Sequence, residues 1–308
     1  MNSPLYETVS AVVVTYNSEN EIRDIISALN NEKVVSEIIV IDNSSDDNTS
    51  DVIKKLQCEK LRLFSLERNI GLAAANNIGI CVAQCEFVLI SNPDLTFDAG
   101  TVENLVSEFK KHDACAIGPI NRDIDGTPHS SFHRNWGLMH IILWRAFPPK
   151  LVRKLYTLKR KYHSQTVRFI SGSFLLAKTQ TLKAIGGYDE AYFLSLEDAC
   201  DLCERLAEKT GKSSVLTQEC SVVHHISRSA SQVPLITQWM GMVGSLHYIK
   251  KKKGFIQYQI LRIIFLALLS YRYASSPIIR RKSQLDLLRL FLRLSGRTTE
   301  EMINGFKI

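Results

Sequence analysis

Over the first 120 residues, apolar blocks alternate with amphipathic ones. Four short runs, Ser10–Tyr16 (SAVVVTY), Glu37–Asp42 (EIIVID), Leu61–Leu66 (LRLFSL) and Phe87–Ser91 (FVLIS), all but the third rich in Val and Ile, read as strands buried on both faces. Between and after them, apolar residues at three- and four-residue spacing predict helices over Glu19–Leu29, Asn48–Leu56, Leu72–Ala83 and Asp98–Lys111. Ala114–Pro119 predicts a further strand. Strand–helix alternation at this spacing implies βαβ crossovers, an α/β class and a Rossmann-like, mostly parallel sheet flanked by helices.

In such sheets ligands bind beyond the carboxyl ends of the strands. That rule selects Thr15-Tyr16-Asn17 after the first strand, Asp42-Asn43-Ser44-Ser45-Asp46-Asp47 after the second, and Asn92-Pro93-Asp94 after the fourth. Asn69, Gly71, Asn76, Asn77 and Gly79 punctuate the third strand's exit and the helix behind it. Asp, Asn and Gly also form turns and helix caps, so one such turn alone says little. Three of them on one sheet edge say more. No G-x-G-x-x-G follows the first strand and no G-x-x-x-x-G-K-[ST] occurs, which disfavours a dinucleotide fold or a P-loop.

Composition is that of an ordinary globular chain, with 45% hydrophobic and 22% charged residues among 308, which excludes disordered and low-complexity classes. Seven cysteines, an odd number, argue against a disulfide scaffold and for a reducing compartment. Cys200-x2-Cys203 and Cys220-x3-His224 have zinc-like spacing, but the first pair lies in a charged helical pattern where Cys also serves as a small buried residue. Met1–Tyr16 shows no secretory signal, and the longest apolar run, Ile263–Leu269, falls short of the ~20 residues that span a bilayer. A cytoplasmic-side protein is expected.

The series VVVTYN, IIVIDNSSDD, NIGLAAANNIGI and FVLISNPDL, continued by FISGSFLLAKTQTLKAIGGYDEAYFLSLED and SVVHHISRSAS, resembles the inverting glycosyltransferases of family 2, which have the GT-A fold. The likeness is to their bacterial rhamnosyltransferase-like branch and covers roughly residues 8–230. It implies a catalytic domain over 1–232, with a nucleotide-binding part to about 120 and an acceptor part from 121. It also implies a nucleotide-sugar donor, dTDP- or UDP-linked, and a divalent cation, Mg²⁺ or Mn²⁺, that neutralises the departing diphosphate. By this resemblance Asp94 is a direct metal ligand and Asn92, standing where the family has its first Asp, contacts ribose or a metal-bound water. His224 completes the metal shell, with His225 as a rival. Asp42 contacts the base or ribose, and Thr15, Asn17, Asn43, Asn69 and Asn77 line the nucleotide pocket, whose polar edges amides can read. Gly71 lets the backbone approach the ligand.

Glu197-Asp198 resembles the family's Glu-Asp motif, which implies Asp198 as general base and Glu197 as a group positioning acceptor hydroxyls. A neighbouring acid raises a base's proton affinity. The same two acids also suit the N-terminus of a helix over Glu197–Thr210. The run Glu197-Asp198-Ala199-Cys200-Asp201-Leu202 is one residue longer than the family's Glu-Asp-x-Asp-Leu. Aligned from the left, the extra residue is expected as a helical bulge; aligned from the right, Asp198 takes the Glu position and Ala199 that of the base.

The charge is uneven. Lys250–Ile308 carries 13 Lys and Arg against 3 Asp and Glu, while residues 1–249 hold 25 against 28. Lys150–Lys161 adds six basic residues without an acid. Phe255–Tyr273 is apolar apart from Arg262 and Arg272, and Leu285, Leu288 and Leu292 separate from Arg289 and Arg293 on a helix over Leu285–Leu294. Aromatic residues are not interleaved with the charges, so nucleic acid is disfavoured as a partner. The reading is a helical, basic region over 233–308 that rests on an anionic membrane surface, with a bundle packed on the catalytic domain as the other possibility. Trp136–Tyr162 is expected as a second contact near the acceptor. The function implied is transfer of a sugar, L-rhamnose from dTDP-rhamnose foremost, to a polyprenyl-diphosphate-linked saccharide at the inner membrane face. A non-catalytic saccharide-binding scaffold is the alternative. A nucleotidyltransferase would need an early Gly-rich loop with Lys or Arg, which is missing.

Overall fold

The first all-apolar run is strand β1 (Val9–Thr15), and its alternate residues serve two different cores in the computed structural model. Val12 and Val14 face one layer with Ile39 and Ile41 of β2 (Val35–Asp42), while Ala11 and Val13 face the other with Ile38 and Val40. A strand covered on both sides needs apolar residues at every position, which is why these segments lack the alternation of a half-exposed strand. The description covers residues 8–128, 132–133, 137–147, 164–225, 234–275 and 278–294.

Helices α1 (Ile22–Asn31), α2 (Thr49–Lys54) and α3 (Leu72–Val82) connect β1, β2, β3 (Leu61–Ser65) and β4 (Phe87–Ser91). The order β3-β2-β1-β4 is parallel throughout. Helix α1 begins three residues later than expected because Ser18 O accepts the N–H groups of Glu21 and Ile22 in a preceding turn. Helix α4 (Thr101–Lys111) begins after Gly100, with Glu32 from the distant end of α1 capping the N–H groups of Gly100 and Val102 at 2.7 and 3.2 Å.

Beyond β4 the sheet becomes mixed, with three of its nine strands running against the other six, so the expected mostly parallel character holds. Strands β5 (Leu95–Phe97), β6 (Ala116–Arg122), β8 (Gln165–Val167), β10 (Phe174–Lys178) and β11 (Ser214–His224) complete nine strands in the order β3-β2-β1-β4-β10-β6-β11-β5, with β8 on β11. β7 (Phe132–His133) and β9 (Phe169–Ile170) form a separate pair. β10 is antiparallel to both neighbours and β11 is parallel to β6. The β6–β11 register breaks between Thr217 and Ser221, opposite Pro119, which has no N–H for the ladder. β6 nevertheless continues past that proline to Arg122.

Helices α5 (Leu138–Ala146), α6 (Thr179–Ala184), α7 (Glu197–Thr210), α8 (Pro234–Lys253), α9 (Phe255–Ser275) and α10 (Ile278–Leu294) cover the remaining side. Trp239, Tyr248, Phe265 and Phe291 are fully buried in the same apolar core as Val12 and Ile39, so α8–α10 pack on the catalytic layers. At about 1.5–3 kcal/mol for each large apolar side chain removed from water, this face is a main source of cohesion. Two expectations for the tail are corrected. Lys251 and Lys252 turn inward to carboxylates, and the buried stripe of α10 runs through Leu287 and Phe291, which leaves Leu292 exposed. No helix among the described residues is long and apolar enough to cross a membrane. Lys150–Lys161 lies outside the described residues, as does all of Trp136–Tyr162 except residues 137–147.

Candidate active site

Because β1, β2, β4, β6 and β11 run the same way, their carboxyl ends meet at one edge of the sheet. The antiparallel β10 begins there, and β5 also begins there, with Leu95 opposite His224. Thr15, Asp42, Asn92, Asp94 and His224 therefore share an edge, as the strand-end rule requires.

Asp94 and His224 form its most polar pair. His224 Nε2 lies 3.2 Å from an Asp94 carboxylate oxygen, and each side chain is 15% exposed. His225 turns away, with its ring 3.2 Å from Thr96 Oγ1, while its backbone N–H holds the Asp94 carbonyl. That separates the two histidines: His224 faces the carboxylate. No group of three or more His, Cys, Asp or Glu with metal-site geometry occurs among the described residues. One carboxylate oxygen and one imidazole nitrogen suit a divalent cation whose other positions are filled by phosphate and water. The zinc alternative fails on geometry, since Cys200 and Cys203 lie in one core and Cys220 in the core across the sheet. Burial pushes the Cys203 and Cys220 thiols up to about 12, the state of inert packing residues.

The nucleotide side is a braced loop system. Asp42, 3% exposed, accepts from the Ser45 hydroxyl at 2.6 Å and the Ser45 N–H at 3.1 Å. Asn17, with φ at 52°, accepts from Asp46 N–H at 2.8 Å. Asn43 donates to Asn69 at 2.9 Å and accepts from Ile70 N–H, so the exits of β2 and β3 are joined. The Thr15 hydroxyl is buried at the end of β1 without a partner among the described residues. Both ends of the Asn77 amide are engaged with the backbone of Tyr188, at 2.7 and 2.9 Å, and its amide also reaches Glu190, so Asn77 braces this loop. Gly71 has φ at 89° and faces Phe193, where a Cβ would lie 2.7 Å from the ring.

The acidic helix α7 closes the other wall. Ala199 packs against Gly172, and the next residue, Ser173, gives its carbonyl to the Asn92 N–H at 2.9 Å. The start of α7 is thereby fixed beside the Asn92-Pro93-Asp94 turn. Asp198 is 4% exposed, and its carboxylate accepts from the Ala199 N–H. Burial, then the charges of Glu197 and Asp201, push its pKa up to about 7 against the pull of that N–H. Among the described residues no basic side chain neutralises it.

Glu197 is different. It is fully buried, accepts from Ser245 at 2.6 Å, and sits 3.5 Å from Arg145. Glu197 thus ties the start of α7 to α5 and α8. The expected bulge is corrected, because α7 is continuous α-helix from Glu197 to Thr210. Helical spacing then sets Glu197, Asp201 and Glu204 in one stripe facing Ser245, Lys251 and Lys252 of α8, and turns Asp198 off it.

Sequence reasoning missed Asn121, Ser171 and Ser173. Asn121 is 1% exposed and donates to Ser173 Oγ at 2.9 Å, and Ser171 and Ser173 hydroxyls are 3.0 Å apart, all at the same edge. Asn121 obeys the strand-end rule, but ending its strand at Pro119 hides it.

The family model for Glycosyl transferase family 2 matches residues 10–186. The chain belongs to this family and is a glycosyltransferase. It is 28% identical over 247 residues to N-acetylglucosaminyl-diphospho-decaprenol L-rhamnosyltransferase of Mycobacterium tuberculosis, covering 74% of this chain and 79% of that one. A poly-beta-1,6-N-acetyl-D-glucosamine synthase of Staphylococcus epidermidis is 28% identical over 186 residues, covering 59% of this chain and 42% of that one. Among solved structures, S. aureus TarS 1–349 with UDP-GlcNAc superimposes with a TM-score of 0.55 at 17% identity, covering 93% and 81% of the two chains. The mannosyltransferase PcManGT of Pyrobaculum calidifontis, with GDP-Man and Mn²⁺, gives 0.56 at 15% identity, covering 96% and 84%. These likenesses establish the GT-A fold.

Proposed function

We propose that this chain transfers L-rhamnose from dTDP-rhamnose to a lipid-diphosphate-linked saccharide, with inversion at the anomeric carbon, in the assembly of a cell-surface polysaccharide. The observation that carries the reading is the Asp94–His224 pair at the carboxyl-end edge of the sheet, with the start of α7, which carries the buried Asp198, packed on the Gly172–Ser173 turn that holds Asn92. The name of the mycobacterial relative supports the sugar and the acceptor class.

Asp94 and His224 would hold Mg²⁺ or Mn²⁺, which supplies neutralisation of the charge on the departing diphosphate. Asp42 and the Asn17, Asn43 and Asn69 loops orient the nucleotide, and Asn92 contacts its ribose. The acceptor hydroxyl oxygen forms a bond to the anomeric carbon as the bond to the donor phosphate breaks on the opposite face. The proton of that hydroxyl passes to Asp198, whose raised pKa is matched to removing a proton near neutrality. Burial excludes water from the carboxylate, which favours the alcohol over hydrolysis.

An outward row on α9 supports attachment at an anionic membrane surface on the cytoplasmic side. Ile256 is 77% and Ile263 66% exposed, and Lys250 and Lys253 project at the adjoining end of α8. A thermal-shift screen of nucleotides and sugar nucleotides with and without Mn²⁺ tests the assignment. A ligand at 100 times its Kd stabilises by about 2.7 kcal/mol, so dTDP-rhamnose with Mn²⁺ is expected to give the largest shift. Equal melting temperatures with every nucleotide would remove the donor assignment.

A further inference from the structure

The turn after α6 holds one aromatic residue, Tyr188, in a fixed mount. Asn77 of α3 binds both its N–H and its carbonyl, at 2.7 and 2.9 Å. Gly187 before it has φ at 68°, and a Cβ there would overlap the Asn77 amide. The backbone so held sends the ring into the apolar core that contains Leu182 and Cys203. Tyr188 is 4% exposed, and its hydroxyl makes no hydrogen bond among the described residues. Phenylalanine would fill the same core space, and a buried hydroxyl without a partner is a net cost. Packing therefore does not account for the oxygen.

That oxygen lies beside the start of α7. The position a Cβ would take on Gly172 is 3.6 Å from Tyr188 Oη and 3.2 Å from Ala199 Cβ, and glycine leaves it unfilled. Gly172 is itself part-exposed. Ala199 follows Asp198 and gives its N–H to the Asp198 carboxylate, which has no other hydrogen-bond partner among the described residues. Asp198 also keeps 4% exposure. Burial, and then the charge of Asp198, hold the Tyr188 phenol well above its usual pKa, so its O–H is intact at neutral pH. Arg205, whose charge also reaches the phenol, is already bound to Asp201 at 2.7 Å and to the Ile185 carbonyl at 3.0 Å. A phenol O–H and a carboxylate, both with unused hydrogen-bonding capacity, thus flank one bare glycine at the sheet edge.

Such a pair suits an alcohol. A hydroxyl oxygen carries one hydrogen and two lone pairs. It can give the hydrogen to the carboxylate, take a hydrogen bond from the phenol on one lone pair, and keep the other for the anomeric carbon. With two directions fixed, the third is aimed, and orientation of this kind lowers the barrier to attack. We propose that the Tyr188 hydroxyl holds the attacking oxygen of the acceptor, donating a hydrogen bond to the lone pair not used in attack while Asp198 takes the proton. Tyr188 keeps its own proton throughout. The assignment rests on the transferase reading above and adds a residue that recognises the acceptor. Tyr192 is the internal comparison: its hydroxyl also lacks a partner among the described residues, but it is 0% exposed and out of reach of a ligand.

The test is steady-state kinetics of the full chain with dTDP-rhamnose and N-acetylglucosaminyl-diphospho-farnesol as the probe acceptor. Tyr188→Phe keeps the ring and removes the hydroxyl. It is expected to lower kcat/KM for the acceptor roughly 10-fold, with the Kd for dTDP-rhamnose unchanged and the melting temperature at or above the wild type. Tyr192→Phe is expected to keep wild-type acceptor kinetics. Wild-type kinetics in Tyr188→Phe would make the residue a packing group and overturn the proposal. An equal loss in both variants, or a loss matched by weaker donor binding, would overturn it as well. A wild type that does not turn over this acceptor overturns the transferase reading, and the proposal falls with it.

Discussion

His224 Nε2 lies 3.2 Å from Asp94 Oδ1, although 130 residues separate them in the chain. Antiparallel pairing of β5 with β11 creates the contact by placing Leu95 opposite His224. His225 faces Thr96 instead. Asp94→Asn and His224→Ala are therefore expected to weaken Mn²⁺-supported nucleotide-sugar binding by roughly 10–100-fold, a range typical of damaged metal sites. His225→Ala is expected to leave it unchanged. Titrations of the three variants check this, and an equal loss in both histidine variants would contradict it.

Asp198 gives a pH profile. With its pKa pushed up to about 7, kcat/KM is expected to rise with pH and level off above neutrality, since the base must be ionised. Asp198→Asn is expected to lower turnover by about 10²–10⁴-fold and to retain donor binding. Stability carries the opposite sign. The folded state holds the proton that the unfolded state releases from an ordinary carboxylate pKa, so the stability contributed by this group falls as pH rises from about 4 to about 7. At pH 8 the Asn variant is expected to melt at or above the wild type, and a large drop in melting temperature would show that the ionised carboxylate is structural.

Asn77 is assigned to architecture. Asn77→Ala removes hydrogen bonds to Tyr188 N, Tyr188 O and Glu190 and strands buried backbone groups. It is expected to cost about 1–3 kcal/mol in denaturant unfolding without changing nucleotide affinity in the folded fraction. A selective loss of nucleotide binding at full stability would return Asn77 to the donor pocket.

The packing of α8 against α5, and through Arg145 and Ser245 against Glu197 of α7, predicts sensitivity to side-chain change. Gly241→Ala drives a methyl group into Arg145 of α5, and the overpacking is expected to cost about 1–3 kcal/mol. Ser245→Ala leaves the Glu197 carboxylate without its 2.6 Å donor and is expected to destabilise by a similar ~1–3 kcal/mol. Unfolding curves indistinguishable from the wild type for both variants would mean that α8 does not hold α7.

Strands β1, β2 and β4 were readable in the sequence because burial on both faces demands unbroken apolar runs rich in Val and Ile, and α7 because its pattern is helical from end to end. The motifs singled out Asp94 and His224, and the fold sets the two side chains 3.2 Å apart. The expected bulge in α7 was not borne out, since the helix is regular from Glu197 to Thr210 and its acidic stripe meets basic partners on α8 at Asp201 and Glu204. Those partners lie 44 or more residues away in sequence, which no local pattern reports. Strand β11 was hidden by its irregular segment opposite Pro119, and the cap that Glu32 places on α4 crosses some 70 residues. The tail's lysines were legible as charge but not as contacts: Lys252 joins Asp201 and Glu204, and Lys251 joins Asp189.

Nitrogen hyperfine coupling to bound Mn²⁺, measured by electron–nuclear double resonance with dTDP present, probes the assigned pair atom by atom. The pair predicts an imidazole ¹⁴N coupling in the wild type that persists in His225→Ala and vanishes in His224→Ala. A wild-type spectrum without that coupling, or one unaltered by His224→Ala, would show that the metal is held elsewhere.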